Sequence, residues 1–156
     1  MSHDWQRERY LISTDRSRFD LETIHELLKT SYWAADRPLA LILRSIEHSL
    51  AFGMYDGTQQ IGFARVITDY ATFAYLADVI IAERYQGQGL GKWLIQTITS
   101  HPELRDIRRW LLITRDAQGL YRQFGFTSLE SADRYMVRIV ERSPQPSQPR
   151  PPSSTA

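Results

Sequence analysis

The sequence predicts one α/β domain in which a mixed, mostly antiparallel sheet is flanked by helices. Three observations lead there. Some segments carry apolar residues at helical spacing and others alternate. Three strand-like runs follow one another across short turns in mid-chain, as in a meander. The 156 residues, 42% hydrophobic, suffice for one core and not for two.

The elements follow in order. "RYLIST" at 9–14 reads as a first strand, and "DLETIHELLKT" from Asp20 sets Leu21, Ile24, Leu27 and Leu28 on one helical face. Asp36 precedes "RPLALILRSIEHSL", a second helix with Pro38 in its first turn and Leu39, Leu43, Ile46 and Leu50 on its apolar side. "LAFGMYDG" and "QQIGFARVITD" read as strands joined by a hairpin turn at "DGTQ", with "TFAYLADVIIA" as a third. A glycine-rich stretch then opens a helix with Leu90, Trp93, Leu94 and Ile98 inward, stopped by Pro102. "RRWLLIT" is a buried-strand pattern, "DAQGLYRQFG" a short helix ended by Gly125, and "RYMVRIV" at 134–140 a last strand, with "FTSL" an additional short one. From Ser143 the chain holds no large apolar side chain and five of its seven prolines, so the expected domain is 1–142 and 143–156 a disordered tail.

Composition removes several functions. Nineteen basic and eighteen acidic residues give a net charge of +1, without a basic stripe interleaved with aromatics, so nucleic acid is not an expected partner. The first ten residues are charged where a signal peptide is apolar, and "LALIL" is too short to span a bilayer; the expectation is a soluble cytoplasmic protein without membrane partners. The absence of cysteine excludes disulfides, thiolate metal ligands and a thiol nucleophile. His3, His25, His48 and His101 lack ligand spacing, so no metal is expected.

"ERYQGQGLGKWLIQ" places Gly87, Gly89 and Gly91 at the mouth of a helix. The spacing fails the dinucleotide fingerprint, whose sixth position would be Lys92, and fails the nucleotide-triphosphate loop, because only three residues separate Gly87 from the Gly-Lys pair. A glycine-rich turn capping a helix is the plain alternative. Three alternating glycines nevertheless bare the backbone, and successive free N–H groups at a helix start attract phosphate.

"QGQGLG" resembles the signature of the GNAT superfamily of acyl-CoA-dependent N-acetyltransferases: Gln or Arg, two residues, Gly, one residue, Gly or Ala. The apolar strand "LADVIIAE" stands before it and a helix after it, as in that family. Downstream, "DAQGLYRQFGF" is similar to a second family motif at Ala117, Tyr121, Gly125 and Phe126, and the element order fits from about residue 9 to residue 140. The resemblance implies a sheet splayed between the fourth and fifth predicted strands. Acetyl-CoA would lie there as co-substrate, its pantetheine arm against the main chain of Val79, Ile80 and Ile81. Its pyrophosphate would lie on the loop Gln86, Gly87, Gln88, Gly89, Leu90, Gly91 and Lys92, with Lys92 either adding charge or simply solvated. "RDIRR" at 105–109 is either a partner for the adenosine 3'-phosphate or a solvated turn.

The resemblance makes Tyr121 the general acid for the departing thiolate, against a packed aromatic as the alternative, and leaves Asp78 as base, substrate anchor or structural group. Alternation puts Ala77 and Asp78 on opposite faces unless the strand is bulged. The sequence departs from the family with alanine at 77 and Thr114 in place of an asparagine. Tyr32, Trp33 and Asp36, with Asp69 and Tyr70, would frame the acceptor, although Trp33 also suits a core anchor. Aromatics beside carboxylates fit a small cationic amine. A peptide or protein amine and a noncatalytic acyl-CoA sensor are the alternatives, and the sequence leaves a homodimer open.

Overall fold

The computed structural model describes residues 1–142, and the expected tail at 143–156 lies outside them. A six-stranded sheet runs in chain order from β1 (Asp4–Arg7) through β2 (Tyr10–Ser13), β3 (Leu50–Asp56), β4 (Gln59–Thr68) and β5 (Ala74–Ile81) to β6 (Trp110–Leu111). Neighbours are antiparallel except β5 and β6, which are parallel. Four α-helices cover the sheet: α1 (Leu21–Lys29), α2 (Leu39–Glu47), α3 (Leu90–Thr99) and α4 (Gln118–Arg122). The expected mixed, mostly antiparallel α/β architecture is therefore present.

α1 and α3 bury the stripes their spacing dictates, whereas α2 turns Ile42 and Ile46 inward in place of the expected Leu39, Leu43 and Leu50, the last of which belongs to β3. Ile24, Leu27 and Leu28 of α1 join Ile42 and Ile46 of α2 in a cluster with Phe63 and Ile80. Leu90, Leu94 and Ile98 of α3 pack with Phe52, Ile61, Val66 and Leu76 on the opposite face. The sheet thus lies between two apolar layers, which is how a sheet buries both faces. Asp20 caps α1 by accepting from the Thr23 N–H at 3.0 Å. The expected Asp36 start of α2 is moved: Pro38 holds the N-cap position and no side chain caps it. The fixed φ of proline, −62° here, suits a helix entry without that hydrogen bond.

Three strand expectations change. β1 is an added edge strand that the charged amino-terminal pattern hid; it closes a hairpin with β2 through Glu8 at φ 55°. "RRWLLIT" supplies only two strand residues. "RYMVRIV" and "FTSL" form no strand, and Met136 and Ile139 are 96% and 86% exposed. Alternation marks a segment able to pair, but a strand exists only where a neighbour meets its N–H and C=O groups. The short β6 provides no such neighbour among the described residues.

The α3 layer rests on Leu94, which is wholly buried. Leu94→Ala should cost about 2–5 kcal/mol, read as a lower urea midpoint with an unchanged m-value.

Candidate active site

β5 keeps β6 as a neighbour for only the first two of its eight residues. The two strands pair only at Ala74 with Trp110 and Tyr75 with Leu111, and residues 76–81 then face a gap. Ala82 donates its N–H to the Ile61 carbonyl at 2.8 Å, so strand alternation turns Ile80 towards β4 and leaves the main-chain groups of Val79 and Ile81 facing the gap. Of the three expected main-chain contacts, Val79 and Ile81 are thus open on that side, and Ile80 is spent within the sheet. Gln86 Nε2 donates to the Ile81 carbonyl at 2.9 Å and ties the glycine loop to the strand end.

The loop is bare and preset. Gly87 and Gly89 have φ of 77° and 78°, a region costly for other residues, and a Cβ on either would meet nothing within 4 Å. Their missing side chains therefore leave space outside the protein. Gly89 is the N-cap of α3 and no side chain caps that end, so its first N–H groups remain available to an anion. Gln88 accepts from the Tyr10 hydroxyl at 3.2 Å; Leu90 is buried beneath the loop, and Lys92 is exposed.

At the branch point the ladder slips. Phe63 opposes Ile80 and Arg65 opposes Ala77, so Asp78 and Val79 together face the single residue Ala64. Asp78 carries φ 56°, as an extra residue in a strand requires. The bulge exchanges the two faces. Leu76 packs in the α3 layer, whereas Ile80 packs in the α1–α2 layer. Ala77 and Asp78 consequently share a face, which plain alternation forbids.

Asp78 is held from three directions. Its Oδ1 accepts from Trp33 Nε1 at 2.9 Å, and its Oδ2 accepts from Arg37 Nη1 at 2.7 Å and Arg65 Nε at 2.5 Å. Its side chain is 2% exposed. Burial works to raise its pKa, yet the hydrogen bonds and charges of Arg65 and Arg37 hold it below the ordinary carboxylate value. A carboxylate held this way is a poor proton acceptor and a good positioning group. Neither arginine was singled out from sequence; the available signal was a charged residue inside the otherwise apolar "GFARVI", which needs a buried partner.

The aromatic residues extend this cluster. Trp33 meets Tyr32 edge to face at 5.1 Å, and Tyr32 is covered by the Arg115 guanidinium at 3.9 Å while its hydroxyl accepts from the Arg115 N–H at 2.9 Å. Tyr121 on α4 packs against Phe126, and burial, then the charge of Tyr32, pushes its pKa up to about 12. Tyr32, Trp33 and Asp78 therefore form one connected group, while Tyr121 packs against the α3 layer. Asp36 is exposed on the same loop. Asp69 and Tyr70 stand apart, in the hairpin before β5, whose first residue Ala74 is itself about 13 Å of strand rise from Asp78. Asp69 is occupied by its own turn, accepting from Ala71, Thr72 and Phe73, and these bonds hold its pKa far below the usual range.

The structure also unites two histidines whose sequence positions are distant. His3 and His101 lie 4.8 Å apart near Glu103. His101 Nδ1 accepts from the Glu103 N–H at 3.2 Å, which places the proton of the neutral ring on Nε2. The arrangement is a turn cap.

Residues 47–128 match the family description "Acetyltransferase (GNAT) domain". A crystal structure of a GNAT-family protein (xcc2953) from Xanthomonas campestris pv. campestris is 44% identical, covers 86% of this chain and 96% of its own, and superposes with a TM-score of 0.82. FG08082 of Gibberella zeae is 32% identical over 139 residues, 76% of this chain and 78% of the relative. A GNAT acetyltransferase of Elizabethkingia anophelis with acetyl-CoA bound shares the fold at 18% identity and a TM-score of 0.61, over 86% of this chain and 90% of that one.

Two guanidiniums depend on Asp78. Asp78→Asn should destabilise the protein by about 3 kcal/mol at pH 7, measured by urea unfolding, because it leaves those charges underpaired. The depressed folded pKa means that the wild-type contribution is complete above the unfolded value near pH 4 and is lost as pH falls through the folded one. The variant should show a flatter stability profile below about pH 4.

Proposed function

The chain belongs to the GNAT acetyltransferase family, and we propose that it moves the acetyl group of acetyl-CoA directly to the primary amine of a small molecule. The observation that carries this reading is the opening of β5 from β6 beside a bare helix start. The gap leaves the main-chain groups of Val79 and the N–H of Ile81 without a strand partner, and a pantetheine amide chain can add there as a strand would. The Gly87 to Lys92 backbone and the dipole of α3 suit a pyrophosphate.

Tyr121 acts as general acid. A neutral amine nitrogen adds to the thioester carbonyl carbon; the C–S bond then breaks, and the phenol O–H of Tyr121 gives its proton to sulfur. The proton lost from nitrogen passes to water, and the phenolate is reprotonated. A pKa near 12 keeps the phenol protonated throughout the neutral range, as a donor must be. Without cysteine in the chain, no thioester acyl-enzyme is available, which favours direct transfer. Asp78 positions Trp33, Arg37 and Arg65 around the acceptor and is not required as base. The carboxylates that suggested a cationic acceptor are largely committed, Asp69 to its turn and Asp78 to two arginines.

Two substitutions test the two halves of the site. Gly89→Ala should weaken acetyl-CoA binding at least about tenfold by calorimetry, since the new side chain disfavours the φ 78° that aims the α3 N–H groups; wild-type affinity in a folded variant would remove the phosphate site. Tyr121→Phe should lower kcat about 100- to 10,000-fold at nearly unchanged acetyl-CoA affinity. Wild-type turnover, with chemistry shown to limit the rate, would leave Tyr121 a packing residue.

A further inference from the structure

Between α2, β4 and the end of the described chain lies a cavity of about 410 Å³ lined by Arg37, Arg44, Ser45, His48, Arg65 and Arg142. No acidic side chain lines it. Two of its arginines share Asp78, whose single oxygen Oδ2 accepts from both Arg37 and Arg65 while Oδ1 serves Trp33. Four arginines thus line the space, and two of them share one carboxylate. Among the described residues, Arg44 and Arg142 form no ion pair, Arg37 uses only Nη1, and Arg65 uses Nε and Nη1. Such a concentration of positive charge raises the local affinity for an anion. Guanidiniums with unused N–H groups are the donors that oxyanions accept in paired hydrogen bonds.

The position makes this a substrate feature. Arg37 and Arg65 meet at the bulge where β5 opens, and both are partly buried, at 18% and 11% exposure. We propose that the cavity is the anchor for the acceptor and that the acceptor is an acidic amine, a small molecule whose primary amine is accompanied by a carboxylate or phosphate. This rests on the acetyl-transfer reading above and names the acceptor class for the same site. The oxyanion fits between Arg37, Arg44 and Arg65 with its amine directed to the branch point. The same charges serve the chemistry. Neighbouring cations disfavour the ammonium form, so more of the bound amine is the neutral nucleophile. That effect replaces a strong base, a role Asp78 cannot fill while it holds two arginines.

The test measures CoA release by the full chain with saturating acetyl-CoA and O-phosphoethanolamine, L-glutamate, glycinamide, putrescine or spermidine. The expected result is the highest kcat/KM for one of the two acidic amines; which one wins separates phosphate from carboxylate. Arg44→Ala, an exposed helix position where alanine is well tolerated, should raise KM for that amine about tenfold or more while kcat and acetyl-CoA affinity stay near wild type. Highest kcat/KM for putrescine, spermidine or glycinamide, or an unchanged KM in Arg44→Ala, overturns the proposal. If no amine releases CoA although acetyl-CoA binds, the transfer reading fails separately. Calorimetry of L-glutamate and O-phosphoethanolamine into the CoA complex then decides the cavity: binding lost in Arg44→Ala supports it, and no binding to the wild type overturns it.

Discussion

One surplus residue in β5 organises the rest. With Asp78 and Val79 both opposing Ala64, the strand changes which face each side chain serves, and it does so in the part of β5 that β6 no longer accompanies. Had the ladder continued in register, Asp78 would point with Leu76 into the α3 layer, a carboxylate among leucines and isoleucines without a cation. The bulge delivers it to Trp33, Arg37 and Arg65 instead. An uncommon backbone conformation and a buried charge are each costly alone. Here they are satisfied by the same three partners, which come from the α1–α2 loop and from β4. The local irregularity, the loop conformation and the charge pattern are therefore one arrangement.

Much of this was legible in the sequence, for physical reasons that differ by element. α1, α2, α3 and the β3–β4–β5 meander have periodicity strong enough to announce themselves, and the glycine loop is visible because bare backbone at a helix entry has few explanations. Tyr32, Trp33 and Asp78 are brought into contact, while Asp69 and Tyr70 belong to a turn closed on itself. Strand termini were less legible. Residues 134–140 have the right alternation but depend on a partner edge, which no local pattern encodes. Arg37 and Arg65 were missed because pairing across 41 and 13 residues is a tertiary fact. The bulge that makes them neighbours leaves only a faint trace in a run such as "AYLADVII".

The charge balance shows how a whole-chain number can mislead about a site. A net charge of +1 describes a nearly neutral molecule. Within it, arginines crowd one cavity while acidic side chains such as Asp15, Asp20 and Asp69 are employed at turns and helix starts, each accepting from main-chain N–H groups. Counting carboxylates near an expected pocket treats them as available, and hydrogen bonding to the backbone withdraws them.

The seam between β5 and β6 has a meaning for the protein's life among metabolites. Two paired residues hold the far side of the sheet, and the remainder of β5 ends in open main chain. On the proposed function such a sheet would be completed from outside: a molecule with amide groups along its length would finish the ladder that the polypeptide left unfinished. Whatever fills the seam becomes, while bound, part of the architecture as well as its cargo, and it stabilises the folded chain by mass action. The rigidity of the enzyme would then follow the supply of its co-substrate.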